Sequence, residues 1–309
     1  MVLLSGCKNP PVVPDDLGPA AIETERPTPG YKQLVQRYNQ RVEPLDRLWA
    51  STEVHLRWQD PDGKQHSEHG DGTLIVVRPR QVAMTVGKLG NTIMWAGSNE
   101  HGYWLFDKRE TGKVFFGRYR YIDKPCGRSL PMPIEPEAVP YLLGTMPLET
   151  DIDPAKATVA RYNGYFLIEP PGLDVRLWLE PDTARPKRVD LLDDAGEKAI
   201  SAILREYWPV DQADMPRDDW PWLAHETQIY VHGEKATEQA DVRIELSNAS
   251  DGKAGNKINP AVFDFDTLMQ KHEPARQIDL DADCFNAPPG LSLEPDKPAG
   301  ESNGQADDQ

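Results

Sequence analysis

The sequence predicts a mainly β, α+β domain. Three observations carry that prediction: apolar and polar residues alternate over many short stretches, turn residues separate those stretches at close intervals, and the prolines crowd the two ends and the loops rather than the alternating runs. A chain of 309 residues with 39% hydrophobic positions is long enough to bury a core.

From the amino terminus, Lys8 to Gly30 carries Pro10, Pro11, Pro14, Pro19, Pro27 and Pro29 with almost no apolar pattern, and is expected to be an extended tether. Between Tyr31 and Leu48 the apolar residues Leu34, Val35, Tyr38, Val42, Leu45 and Leu48 recur at helical spacing, which predicts one amphipathic helix kinked or restarted at Pro44. The period then changes to two at Val54, Leu56 and Trp58, and Asp60-Pro-Asp-Gly63 turns the chain into a hairpin. Further strands are expected over Thr73–Arg78, Gln81–Val86, Asn91–Ala96, Tyr103–Asp107 and Lys113–Tyr121, an antiparallel meander. Pro136 to Gly144 reads as a short helix that starts at its proline, ends at its glycine and lies across the sheet. Strands resume over Ala157–Tyr162, Tyr165–Glu169, Asp174–Leu179, Pro186–Leu192, Lys198–Trp208, Glu226–Val231 and Asp241–Ser247, with hairpin turns at Asn163-Gly164 and Asp193–Gly196 and a proline- and aspartate-rich crossover at Asp211–Pro221. From Phe285 to Gln309 five acids stand against one lysine, so that tail is expected to be disordered and dispensable for folding. The expected division is 1–7 lipobox, 8–30 tether, 31–284 folded domain and 285–309 acidic tail.

Charge and composition exclude several function classes. A net charge of −16 repels a nucleic-acid backbone, so no nucleic-acid partner is expected. No run of about 18 apolar residues occurs, so no transmembrane helix is expected and membrane contact would come through a lipid or a surface. Leu4-Ser5-Gly6-Cys7 resembles a bacterial lipobox, with two small residues ahead of a cysteine whose thiol becomes a thioether to diacylglycerol. Only six residues precede Cys7, about 9 Å of helix at ~1.5 Å each, so as written the signal peptide is incomplete. Lipobox, tether and domain in that order predict an envelope lipoprotein anchored through Cys7 and facing the periplasm. Lys8 stands where an inner-membrane retention signal would place Asp, which favours the outer membrane.

The helix leading into Val54–Trp58, Tyr141-Leu-Leu-Gly144-Thr-Met-Pro-Leu148, the run from Val175 through Trp178 to Val189 that leads to Asp193–Gly196, and Ile258-Asn-Pro-Ala-Val-Phe-Asp-Phe265 together resemble the lipoprotein-carrier fold of LolA and LolB over roughly Tyr31 to Leu268. That resemblance implies a curved, incomplete antiparallel β-barrel with helices closing the concave side, and an apolar cavity for the acyl chain of a lipid or lipoprotein, in a monomeric chain. Large adaptable side chains on predicted strands fit such a pocket, and Trp58, Met84, Trp95, Trp104, Phe115 and Trp178 are the candidate lining, with Trp95 and Trp104 the first choices for inward positions. Each could equally be ordinary core, and the alternation puts Met94 and Trp95, or Phe115 and Phe116, on opposite faces.

Catalytic signatures are missing from the sequence. There is no G-x-S-x-G, H-E-x-x-H, Walker loop or post-strand G-x-G-x-x-G, so neither catalytic residues nor a cofactor are expected. The densest polar cluster, His66-Ser-Glu68-His69-Gly-Asp71, could hold a metal but is assigned to a solvated hairpin end, and no metal site is expected. With Cys7 lipidated, Cys126 and Cys284 remain, and in an oxidising periplasm the two can pair. The leading reading is therefore a carrier, acceptor or sensor that binds an acyl chain or lipidated peptide; the alternative is an envelope scaffold or signal-sensing module with a filled core.

Overall fold

The computed structural model describes residues 28–285 except 60–63, 110–111, 123, 125, 128–129, 133 and 234–238. Helix α1 (Tyr31–Val42) passes through a 3-10 turn at Glu43–Leu45 into β1 (Arg47–Gln59), β2 (Gln65–Val77), β3 (Gln81–Lys88), β4 (Asn91–Ser98), β5 (Gly102–Asp107) and β6 (Lys113–Arg118). Short helices α2 (Tyr119–Ile122) and α3 (Val139–Leu142) precede a second run of strands. This run is β7 (Thr158–Tyr162), β8 (Tyr165–Glu169), β9 (Val175–Leu179), β10 (Pro186–Leu192), β11 (Lys198–Pro209), β12 (Trp222–Val231) and β13 (Ala240–Ser250). A 3-10 turn at Pro260–Phe263, helix α4 (Phe265–His272), strand β14 (Arg276–Asp279) and helix α5 (Ala282–Phe285) follow.

All the strands form one curved sheet that does not close, in the order β14-β6-β5-β4-β3-β2-β1-β13-β12-β11-β10-β9-β8-β7. Two antiparallel meanders, β1 to β6 and β7 to β13, are thus joined where β1 pairs with β13. The expected curved antiparallel half-barrel is the observed architecture, with one addition: β14 runs parallel to β6 at the sheet edge. The four residues Arg-Gln-Ile-Asp, followed by an acidic stretch with little apolar pattern, carry no sequence sign of that strand or of α5 behind it. Charge holds both in place, because Arg118 Nη1 lies 3.2 Å from the buried Asp281 carboxylate and the Arg118 backbone N–H donates to it at 2.7 Å. Cys126 and Cys284 are disulfide-bonded with Cα atoms 5.0 Å apart, which ties α5 to the segment after α2. Phe285, placed at the head of the expected tail, ends α5 with its ring 5.4 Å from that of Tyr121.

Helix α1 lies on the concave face. Tyr31, Leu34, Val35, Tyr38 and Val42 are all buried, the stripe that its sequence period predicts. The helix ends at Val42 rather than Leu48, because Pro44 has no N–H to continue the ladder; Leu45 packs from the 3-10 turn and Leu48 from β1. Polar bonds fix its position. Asn39 donates to the Leu148 carbonyl at 2.7 Å and accepts from the Leu148 N–H at 2.9 Å, the Tyr38 hydroxyl donates to the Met146 carbonyl at 2.9 Å, and Arg37 donates to the Pro181 and Asp182 carbonyls. Burial pushes the Tyr38 hydroxyl up to about 12, so it stays a neutral donor. The expected helix near Pro136 is a 3-10 turn at Pro136–Ala138 running into α3, closed at Gly144 with φ +63°. Leu142 and Leu143 complete the lid over the sheet.

Two other sequence expectations are corrected. Tyr119 to Tyr121 is the start of α2 rather than the end of a strand. His66 to Asp71 is not a hairpin end but the first half of β2, in register with β1 from Gln59↔Gln65 to Arg47↔Val77. The turn expected at 60–63 lies outside the described residues. The Asn163-Gly164 turn is as expected, with φ +47° and +84°, the two left-handed residues of a type I′ hairpin.

Candidate functional site

Strand register decides which side chains can share a site. Met84 pairs with Ala96, Ala96 with Leu105 and Leu105 with Phe115, so Met84 and Phe115 belong to one face, the concave one covered by α1 and α3. Trp58 joins that face, two residues beyond Leu56 on β1. Trp95 pairs with Thr85, and Trp104 with Gly97, which pairs with Ala83; both tryptophans therefore face the opposite, convex side. Trp178 pairs with Arg188, next to the concave Val189, and is likewise convex. The six candidate residues cannot line a single cavity. For Trp95 and Trp104 the physical reason is parity, since in a strand buried on both faces hydrophobicity does not reveal which side chain points inward; Trp178 lies on an alternating strand whose inward positions are taken by Val175, Leu177 and Leu179.

On the convex side Trp95 and Trp104 are core. With Phe106 and Val114 they are covered by Leu268, Phe265 and Met269 of α4, and the Phe265 ring lies 5.5 Å from Trp104 and 5.2 Å from Phe116. Gly97 makes the close seating possible, since a Cβ there would stand 2.7 Å from Trp104 Nε1. Trp178 instead lies half-buried beside two guanidinium groups, Arg188 at 5.1 Å and Arg176 at 5.8 Å from its ring.

The middle of the concave side is packed shut. Leu34, Val35, Tyr38, Leu74, Val82, Leu142, Leu179 and Ile229 each retain at most 1% of their surface, whereas side chains around a void that admits water would keep more. Towards the end of the sheet that carries the β10–β11 and β12–β13 connections, this changes. Register aligns Trp58, Ala240, Val231, Ile200, Leu191 and Val175 in one row across β1, β13, β12, β11, β10 and β9. Trp58, Val231, Ile200 and Leu191 in that row are only partly buried, whereas most of the row behind it, Val242, Ile229, Ala202, Val189 and Leu177, is buried. The concave face thus ends in an apolar lip reachable from solvent. Of the expected lining residues, Trp58 stands on this lip and Met84 in the packed middle, whereas Phe115 lies beside a smaller cluster that includes Leu105 and Leu280.

A second concavity, of about 1100 Å³, lies at the other end of β4 to β6 against the start of α4. Arg80, His101, Arg118, Asp264 and Asp266 contribute to its wall, so it is a polar groove and not an acyl-chain chamber.

The cluster from His66 to Asp71 separates across the sheet. His66 is concave and stacks on Trp58 with centroids 5.0 Å apart, while His69 is convex and stacks on His55 at 4.3 Å. A turn centred on 60–63 would set residue 55 opposite residue 68; the observed register is one residue further along, with His55 opposite His69, and that single step decides which face His69 takes.

Neither a family model nor a curated protein matches the sequence. Among solved structures the chain is similar in fold to a domain described as that of an outer membrane lipoprotein-sorting protein from Vibrio parahaemolyticus, at 14% identity and TM-score 0.46 over 77% of this chain and 97% of that one. A DUF1329 family protein from Desulfovibrio piger matches at 12% identity and TM-score 0.46 over 77% of this chain and 97% of that one. A LolA superfamily protein from Nitrosomonas europaea matches at 7% identity and TM-score 0.41 over 72% of this chain and 93% of that one. The likeness is one of fold.

Proposed function

We propose that this chain is an envelope lipoprotein, anchored through Cys7 and facing the periplasm at the outer membrane, that binds the acyl chain of a lipid or lipidated peptide on the concave face of its half-barrel. The observation that carries the reading is the partly exposed apolar row Trp58, Val231, Ile200 and Leu191, which continues a buried core out to solvent. Each methylene transferred from water to such a surface is worth about 0.8 kcal/mol, so an acyl chain needs no polar chemistry to be held there. No catalytic group is required, and binding rather than catalysis is the activity.

The packed middle of the concave side supports a second reading, a scaffold or signal-sensing module that binds a protein and no lipid. Titration of a fluorescent fatty-acid probe into the purified chain separates the two. On the carrier reading the probe binds about one per chain and is displaced by unlabelled fatty acid; Trp58→Asp and Val231→Asp abolish binding, because an unpaired carboxylate on an apolar surface costs several kcal/mol, while Arg57→Ala on the opposite face leaves it unchanged. A native chain that takes up no displaceable probe gives the scaffold reading. The anchor has its own test: Cys7→Ser is expected to release the protein from the membrane fraction, since two or three acyl chains hold a protein that none would retain. Unchanged partitioning would remove the anchor from the proposal.

A further inference from the structure

The convex face carries a group of side chains that the acyl-chain reading does not use. His55 on β1 and His69 on β2 stand directly opposite each other, and Glu53 lies two residues before His55 on the same face. Nε2 of His55 and Nε2 of His69 both donate to the same atom, Glu53 Oε1, each at 3.0 Å. The two rings are nearly parallel, at 10° with centroids 4.3 Å apart, and the three ligand-type atoms all lie within 4.8 Å of one another. Two imidazole nitrogens and a carboxylate oxygen converging on one place are the donor set of a three-ligand zinc site.

We propose that Glu53, His55 and His69 bind a divalent transition-metal ion of the zinc class. In binding, the two hydrogen bonds to Glu53 Oε1 are replaced by metal bonds: each neutral imidazole carries its proton on Nδ1 and offers the Nε2 lone pair, and the carboxylate supplies the third ligand. A tetrahedral ion then keeps a fourth position for water. The site is accessible to an incoming ion, with side-chain exposures of 44% for Glu53, 38% for His55 and 54% for His69. Its surroundings favour a cation. Asp71 stands opposite Glu53 in the register, and Arg243, opposite His55 on β13, is committed to Glu226 at 2.9 Å and Glu245 at 2.6 Å. Because the ligands come from both strands of the β1–β2 hairpin, the ion would cross-link the pair that runs through the middle of the sheet. Imidazole and carboxylate together select zinc, copper or nickel over calcium and magnesium, which prefer oxygen ligands alone. The site faces away from the apolar row and does not depend on it.

Isothermal titration of zinc chloride into the untagged, chelator-treated full chain tests the proposal. One equivalent is expected to bind; His55→Ala and His69→Ala should each weaken binding about tenfold or more, and Glu53→Gln, which keeps a hydrogen-bonding oxygen but removes the charge, should also weaken it. His66→Ala, three residues from His69 but on the other face, should bind as the native chain does. Far-UV circular dichroism establishes that each variant is folded, and visible absorption of the cobalt-loaded protein reports four-coordinate geometry. No uptake by the native chain, several weak equivalents unchanged in the histidine variants, or equal loss in His66→Ala would each overturn the site.

Discussion

The two meanders make the same kind of sheet but are covered differently. In β3 to β6 both faces are buried: α1 and α3 cover the concave side at β3, Tyr119, Ile122, Leu130, Met132 and Leu280 cover it at β4 to β6, and α4 with the 3-10 turn at Pro260–Phe263 covers the convex side. In β9 to β13 the apolar core lies on the concave side, and the convex side is mostly polar: Arg188 and Asp190 form a buried ion pair there, while Arg176, Arg205, Glu226 and Arg243 pair nearer the surface. The sequence records the difference. β5 reads Gly-Tyr-Trp-Leu-Phe-Asp with five consecutive buried positions, whereas β9 reads Val-Arg-Leu-Trp-Leu with burial at every second one. Alternation therefore reports facing only where one side meets water, and that is where a sequence reading can assign an inward residue.

That contrast implies very different costs for two tryptophans. Trp104→Ala, in the half covered on both faces, removes a side chain only 1% exposed and is expected to cost about 3–5 kcal/mol, while Trp178→Ala, on the open convex face, should cost about 1 kcal/mol. Chemical denaturation of the two variants measures the gap, and equal losses would break the distinction. The strap that completes the doubly covered half supplies a second test. Reducing the Cys126–Cys284 bond opens a loop with a sequence separation of 158 and should lower stability by about 3–5 kcal/mol. A melting temperature indifferent to reductant would show that β14 and Arg118 hold that edge without it.

Smaller effects sharpen the picture of the concave lid. Asn39→Ala removes both hydrogen bonds to Leu148 and is expected to cost about 1–3 kcal/mol, whereas Lys32→Ala, in the same helix with an exposed partner at Asp151, should cost less than about 0.5 kcal/mol; urea titration reads both. Glu135, just before the turn into α3, adds a pH dependence. Burial pushes its carboxyl from 4.5 up to about 7, with Glu137 adding to the shift and the Leu130 N–H opposing it. As pH rises through that window the unfolded chain gives up this proton before the folded chain does, so the fold loses stability. Glu135→Gln should therefore stabilise the protein by about 1–2 kcal/mol at pH 8 and change little at pH 4, in denaturation curves taken at the two values.

Much of this fold could be read from the sequence. Almost every strand of both meanders was expected near its observed place, as was the helix stripe from Leu34 to Val42, because period, proline and turn chemistry are local signals. The parts that escaped depend on distant partners. Arg118 supplies the countercharge for Asp279, which ends β14, and for the buried Asp281 behind it, and the Trp104 surface supplies the apolar face that α4 covers. The candidate site was partly visible: Trp58 was among the expected lining residues, but the row that joins it to Val231, Ile200 and Leu191 exists only through the β1–β13 pairing, between strands far apart in the chain. The meeting of His55 and His69 depends on a register one residue away from the one that a turn at 60–63 implies.

The half of the sheet that is open at its concave lip is the one to which function is assigned here, so the most direct measurement is native mass spectrometry of the chain purified from its own membrane. A bound molecule bearing an acyl chain is expected, one per protein, lost in Ile200→Asp and retained in Arg57→Ala. Unliganded native protein, or a ligand retained equally by Ile200→Asp, would contradict it.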